Sequence, residues 1–255
     1  MDNSTSLIFW FSGTGNSLYA AKRLSSELGG VPLAQIACDA AVAPVGGAGA
    51  KVGFVFPSYY GNLPRMVRSF VEKLEILPET YIFAIVTMGA VGQGSVYQFE
   101  KALAAKGLKL SYGRGVNMPG NYVVMYNPAD PASFGKSMEK IRAKISECAA
   151  DISAGKQNVK KIAFSTNKLY KNVNKLDSGY FAGAACKSCG LCVKICPAKN
   201  IILDGGRPKW QRRCEQCVAC ISWCPNKAVE YGVRTQKRRR YRNPEIDASE
   251  LVRKA

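Results

Sequence analysis

Apolar and polar positions along the first 150 residues follow two alternating rhythms. Leu7–Phe11 is apolar throughout, as a strand buried on both faces of a sheet should be. Ser17–Leu28 then places Leu18, Ala21, Leu24 and Leu28 at helical spacing and stops at Gly29-Gly30. Lys51–Pro57 and Tyr81–Thr87 read as further strands. Two helices are predicted between and after them. Arg65–Leu74 is entered at Pro64, where a proline is tolerated, and Ser95–Lys106 has Ser95 as its cap and Gly107 as its stop. Lys109–Val116 supplies a last strand and Ala132–Ala154 a last helix. The repeated strand–helix order predicts an α/β fold, a doubly wound parallel sheet whose ligands sit beyond the C-terminal strand ends. Only the Ala- and Gly-rich segment Ala40–Ala50, where a second strand is due, shows no clear element.

After residue 155 the rhythm breaks. Residues 156–181, rich in Lys and Asn with scattered aromatics, read as a basic connector. The expected organisation is one α/β domain over 1–155, this connector, a small α+β domain over 182–233 and a basic C-terminal tail over 234–255. A chain of 255 residues has room for one medium and one small domain. With 47% hydrophobic and 21% charged residues it is not a disordered composition. No apolar run approaches the roughly 18 residues of a membrane span, and Leu7–Phe11 is too short for a signal-peptide core. A cytoplasmic protein is expected.

Cysteine changes the picture most. Of ten cysteines, eight lie between Cys186 and Cys224, leaving Cys38 and Cys148 as expected plain buried residues. Cys186-x-x-Cys189-x-x-Cys192-x-x-x-Cys196-Pro197 recurs as Cys214-x-x-Cys217-x-x-Cys220-x-x-x-Cys224-Pro225, every cysteine displaced by 28 positions. Lys199/Lys227 and Ile201/Val229 repeat at the same offset, so this is an internal duplication. Each unit has the bacterial ferredoxin spacing, in which three cysteines wrap one iron–sulfur cube and the fourth reaches the other. Cys186, Cys189, Cys192 and Cys224 are therefore the expected ligands of one [4Fe–4S] cluster, and Cys214, Cys217, Cys220 and Cys196 those of a second. Zinc ribbons and a disulfide knot compete, but paired C-x-x-C zinc sites leave the third and fourth cysteines and the proline unexplained. The chain has no histidine, which excludes His-ligated zinc, Rieske ligation and Ser-His or Cys-His nucleophile pairs. Trp210 and Trp223, close to the motifs, serve either to screen the clusters from water or simply to pack.

A second signal lies where strands end. Ser12-Gly13-Thr14-Gly15-Asn16-Ser17 joins the first strand to the first helix, where unpaired N–H groups and the helix dipole suit a phosphate and three hydroxyls add donors. Read as a dinucleotide motif it lacks the third glycine, and read as a P-loop it lacks the Gly-Lys-Ser/Thr end; a bare turn is the remaining alternative. Pro57-Ser58-Tyr59-Tyr60-Gly61-Asn62 follows the next strand and offers aromatic faces to an isoalloxazine. Met88-Gly89-Ala90-Val91-Gly92-Gln93-Gly94 follows another, its glycines allowing close backbone approach. Together the three loops favour a flavin.

The Ser12–Ser17 loop resembles the phosphate loop of flavodoxins, and residues 57–62 and 88–94 occupy the places of the two ring-flanking loops of that family. With Met118-Pro119-Gly120-Asn121-Tyr122 and Tyr241-Arg242-Asn243-Pro244, nearly the whole chain resembles the EFR1 family of flavodoxin–ferredoxin fusions. The resemblance implies a flavodoxin-like sheet followed by a ferredoxin-like domain, FMN, two [4Fe–4S] clusters and intracellular electron transfer of an anaerobic type. It names no substrate.

Charge is uneven. Residues 1–150 carry net +4 and residues 151–255 net +14 of the total +18. Lys237-Arg238-Arg239-Arg240-Tyr241-Arg242 is the densest run, read either as a solvated tail or as a docking surface for an acidic redox protein such as a ferredoxin or flavodoxin. No nucleic-acid reading motif accompanies it, which leaves a nucleic-acid-binding redox sensor as an outlier. Clusters move single electrons and a flavin one or two. The expected function is thus a relay from a low-potential one-electron donor through the clusters and FMN to a redox partner. The alternative is an FMN-dependent reductase acting directly on a small organic substrate. The relay requires the Cys186–Cys224 region to lie close to the Thr14 loop.

Overall fold

The computed structural model describes residues 5–38, 43–89, 92–160 and 168–253. Strands β1 (Leu7–Trp10), β2 (Leu33–Gln35), β3 (Lys51–Pro57), β4 (Tyr81–Met88), β5 (Tyr112–Asn117) and β6 (Asn158–Val159) form one parallel sheet in the order β2-β1-β3-β4-β5-β6. The chain steps outward from β1 to β2, then reverses across β1 to β3. That reversal makes the switch point of a flavodoxin-like sheet, where a crevice opens.

Strand side chains point alternately to the two faces. Ile8, Trp10, Val55, Phe83 and Ile85 join one core with α1 (Asn16–Glu27) and α4 (Gly135–Ser153), while Phe9, Phe54, Phe56 and Val86 join another with α2 (Arg65–Lys73) and α3 (Gln93–Ala104). A doubly wound sheet results, as its apolar strands predict. Two corrections are local. Ser95 lies inside α3, not at its cap, because the helix starts earlier at Gln93 behind Gly92, and the Ser95 hydroxyl pairs with that of Ser58 at 2.8 Å. The second strand is the short edge strand Leu33–Gln35, upstream of the Ala40–Ala50 stretch, part of which lies outside the described residues.

The following small α+β domain repeats itself in space as in sequence. Single helical turns α5 (Leu191–Lys194) and α6 (Ala219–Ser222) follow the first two cysteines of each unit. The hairpin of β8 (Ile201–Asp204) with β9 (Arg207–Trp210) and the antiparallel pair of β7 (Tyr180–Ala182) with β10 (Val229–Tyr231) complete it. Its packing is shared with the α/β part. Ile195, Ala219, Trp223, Tyr241, Ile246 and Leu251 lie in the same apolar cluster as α1 and α4. Among the described residues no helix is long and apolar enough to cross a membrane.

Candidate cofactor sites

Phe11 to Gly15 carry the chain from β1 into α1. Gly15 adopts φ +97°, a conformation costly for other residues, and no side chain caps the helix it opens. Ser12, Thr14, Asn16 and Ser17 are all buried; Ser12 Oγ accepts from Gly15 N at 3.1 Å within the loop, and the other three are held by partners from distant segments. Ser17 Oγ pairs with Thr87 Oγ1 at 2.7 Å, and Thr14 Oγ1 accepts from Asn121 Nδ2 at 2.7 Å. Asn16 Oδ1 accepts from Tyr241 OH at 2.6 Å and from Asn243 Nδ2 at 3.1 Å. The loop is thus a rigid, hydroxyl-rich cradle around a helix N-terminus.

It forms one end of a cavity above the C-terminal edge of the sheet. Ser12, Gly13, Thr14, Asn16 and Ser17 line that cavity with Pro57, Ser58, Tyr59, Tyr60, Met88 and Gly89. Of the other sequence-predicted contacts, Gly15, Gly61, Asn62 and Gly92 lie behind the wall, and Ala90 is outside the described residues. Gly61 and Tyr60 take φ +76° and +53° in a turn closed by Tyr59 and Asn62, so these two glycine and asparagine positions shape the loop and do not face the cavity. Gly89 has open space where a Cβ would stand. A third wall comes from Met118–Tyr122, Met125 and Tyr126 beyond β5. Among the described residues no charged side chain lines the cavity, and its aromatic and hydroxyl surfaces fit a planar ring at one end and a phosphate at the other.

Eight cysteines surround two further cavities. Cys186, Cys189, Cys192 and Cys224 line one; Cys196, Cys214, Cys217 and Cys220 line the other. The duplication extends to backbone conformation. Ser188 and Gln216, Gly190 and Val218, and Lys199 and Lys227 all have positive φ, each pair 28 positions apart. These left-handed residues turn N–H groups inward: Gln216 N donates to Cys214 Sγ at 3.2 Å, Asn200 N to Cys196 Sγ at 3.3 Å and Ala228 N to Cys224 Sγ at 3.2 Å. Among the described residues no group of three or more Cys, Asp or Glu side chains is arranged to hold a single ion. Burial pushes the Cys192 thiol up to about 11 and Cys217 up to about 12, so their thiolates need a cationic core to persist. Donor set, spacing and N–H···S bonds fit iron–sulfur cubes.

The second cysteine cavity abuts the sheet-edge cavity. Cys217 and Val218 line both, and Gln216 joins them in the wall of the sheet-edge cavity. Trp223 Nε1 donates to the Gly13 carbonyl at 2.9 Å, so this tryptophan fastens the two loops together. Trp210 stacks on Tyr180 at 5.6 Å. The first cysteine cavity shares no wall residue with the sheet-edge cavity, and Cys189 in it is exposed.

Two expectations change here. Residues 237–243 are a strap, not a free tail. Arg238 donates to the carbonyls of Val123 and Val124, Arg240 pairs with Glu230 at 2.6 Å, and Asn243 N donates to Thr14 O at 2.8 Å. Tyr241 is fully buried. Guanidiniums spent on internal acceptors offer little to a docking partner, although Lys237, Arg239 and Arg242 stay exposed. Cys148 is buried as expected, but Cys38 is exposed, its N–H donating to Pro197 O at 3.3 Å. Sequence reasoning also missed Gln216 and Val218 as cavity walls, since only contact across the chain reveals them.

Residues 179–241 match the 4Fe-4S dicluster domain. The dicluster domain so defined holds both cysteine cavities, β7 to β10 and the start of the strap. Among curated proteins none matches the sequence. Of solved structures, a Streptococcus pneumonia TIGR4 flavodoxin is similar over 59% of this chain and 99% of its own, at 13% identity and a TM-score of 0.38. The rubredoxin oxygen:oxidoreductase of the anaerobe Desulfovibrio gigas is similar over 58% of this chain and 37% of its own, at 13% identity and a TM-score of 0.32. Strand order, not these likenesses, establishes the flavodoxin-like sheet preceding the dicluster domain.

Proposed function

We propose that this chain is an electron-transfer flavoprotein of the EFR1 type, relaying electrons between a low-potential one-electron donor, two [4Fe–4S] clusters, FMN and a redox partner. One observation carries the reading: Cys217, within the second cysteine set, packs directly on Gly13 of the phosphate cradle. In this reading Cys196, Cys214, Cys217 and Cys220 hold the cluster beside the flavin. Cys186, Cys189, Cys192 and Cys224 hold the outer one, whose exposed Cys189 suits exchange with a donor protein. Ser12, Thr14, Ser17 and the α1 N-terminus orient the FMN phosphate, and Tyr59, Tyr60, Gly89 and Tyr122 border its ring. Bound FMN would supply the step between one- and two-electron exchange, which a one-electron cluster lacks. The chain contributes placement and dryness: Gly13 lets the loops close, and Trp223 and Asn243 keep them closed.

Direct reduction of an organic substrate asks for a proton donor in the cavity. Tyr60 and Tyr122 hydrogen-bond to one another and Tyr122 donates on to Gln216, while among the described residues no lysine or carboxylate lines the walls. The cavity thus favours relay over substrate chemistry. Anaerobic purification with iron, sulfide and flavin assays tests the reading. About eight irons and one FMN per chain are expected; about two zinc ions without sulfide overturn it.

A further inference from the structure

The duplicated cysteine loops differ in what covers them. Glu215, Gln216, Cys217 and Val218 of the second loop repeat Lys187, Ser188, Cys189 and Gly190 of the first, with left-handed backbone at Ser188 and Gln216 and at Gly190 and Val218. The second loop is closed off by the α/β part. Glu215, Gln216 and Val218 are buried, Gly13 packs on the Cys217 carbonyl, and Cys217 and Val218 reach the sheet-edge cavity. Across this internal interface Arg65 of α2 donates to Glu215 Oε1 at 2.9 Å and to the Cys214 carbonyl at 2.7 Å. The same face of the first loop is open: Lys187, Ser188 and Cys189 are exposed.

Charge is reversed between the two loops. Lys187 stands where Glu215 does, so a surface matching the first loop as Arg65 matches the second must be acidic. Its surroundings agree. Residues 183–229 hold eight Lys and Arg against two acids, net +6. Both acids are engaged, Asp204 with Lys209 at 2.9 Å and the buried Glu215 with Arg65. Exposed Lys227 follows Pro225 and Asn226, which line the first cysteine cavity with Lys187. Leu203, in the same wall, is 43% exposed and offers an apolar contact among the cations.

We infer that the Lys187–Cys189 face docks an acidic one-electron carrier protein, which stands to the outer cluster as the flavodoxin-like part stands to the inner one. This rests on the relay reading, with the outer cluster as its port. One electron leaves the reduced carrier for that cluster, and no bond forms or breaks. A second copy of this chain is the wrong occupant, because it brings the same cations to the contact. Complementary charge at the rim speeds encounter and is screened by salt, as fits a carrier that must also leave.

The test uses the full chain, purified anaerobically with its iron and FMN, and an acidic [2Fe–2S] ferredoxin as probe. Oxidised probe is titrated in by calorimetry at low and high salt, and reduced probe is then mixed in by stopped flow. Lys187→Glu is expected to weaken binding and slow cluster reduction roughly tenfold at low salt, the difference shrinking as salt rises. Lys101→Glu makes the same charge change on α3 and is expected to stay within about twofold of wild type. Should Lys187→Glu lose iron, Lys227→Glu decides in its place. An iron-replete rim variant that behaves as wild type overturns the inference and leaves the relay reading standing. Equal losses in the Lys101 and rim variants, or a cofactor-loaded wild type that binds no probe, do the same. Self-association of the chain abolished by Lys187→Glu would put a second copy on this face and overturn it too. A chain that takes up neither iron–sulfur clusters nor FMN overturns the relay reading and the inference with it.

Discussion

Gly13 and Cys217 leave no room for a methyl group between them: a Cβ on Gly13 would stand 2.0 Å from the Cys217 carbonyl oxygen. Gly13 is not among the glycines with positive φ, so close approach alone accounts for a glycine here. The loop after the first strand and the second cysteine loop are pressed backbone to backbone. Gly13→Ala must push them apart, at a cost of about 1–3 kcal/mol as for other overpacked sites. Lower thermal stability with reduced flavin retention is the expected outcome; an unchanged melting temperature would contradict the contact.

Val218 poses a contest between strain and burial. It holds φ +54°, where its repeat partner is Gly190 at +73°. Val218→Gly relieves about 1–2 kcal/mol of left-handed strain. It also forfeits about 1.5–3 kcal/mol of apolar burial and adds about 0.5–1 kcal/mol of chain entropy. Burial wins. The denaturation midpoint is expected to fall, and a rise would mean that strain dominates this wall.

The strap separates from a tail by which arginine matters. Arg240 and Glu230 pair with side chains 5% and 12% exposed, whereas Arg239 faces Asp130 with both more than half exposed. Arg240→Ala strands a buried carboxylate and is expected to cost about 3–5 kcal/mol. Arg239→Ala should stay within about 0.5 kcal/mol. Equal effects in urea denaturation would restore the tail.

Alkali should unfold the chain. Burial, with Asp151's charge, pushes the Tyr81 phenol up to about 12, and burial holds Tyr122, Tyr170 and Tyr241 above their ordinary value of 10.0 as well. Folded-state values raised above the unfolded one contribute stability that is whole below pH 10 and is lost as pH rises through about 12. Tyrosinate absorbance is expected to rise together with loss of circular dichroism in that window. Independent titration of phenols in a folded chain would refute it.

Removing iron should release flavin. Cys196, Cys214 and Cys220 belong to an apolar core that the small domain shares with Val123 and Val124, beside Val218 and Ile221. Without metal these thiols are protonated by burial and no longer draw the loop around a cube. The Gln216–Val218 wall of the neighbouring cavity then loses its support. Chelation under reducing conditions is expected to raise flavin fluorescence as FMN leaves; full retention by the apo-cluster protein would show the wall to be self-supporting.

By itself the sequence determined whatever depends on local repetition. Buried parallel strands declare themselves as apolar runs such as Leu7–Phe11, and cysteine spacing is dictated by a cube whose size is set by iron and sulfur. Helix ends at Gly29 and Gly107 followed from backbone sterics alone. The tertiary structure decided everything that needs two distant segments to meet. Gln216 looks like an ordinary spacer between cysteines until Tyr122 and Tyr180 hold its amide oxygen beside a cavity built by another domain. Arg240 reads as one charge in a run until Glu230 folds under it. Gly13 reads as a flexible turn until Cys217, two hundred residues on, fills the space beside it. Periodicity and spacing are carried by neighbours along the chain, whereas such contacts arise only from packing, and packing joined the two halves of this protein.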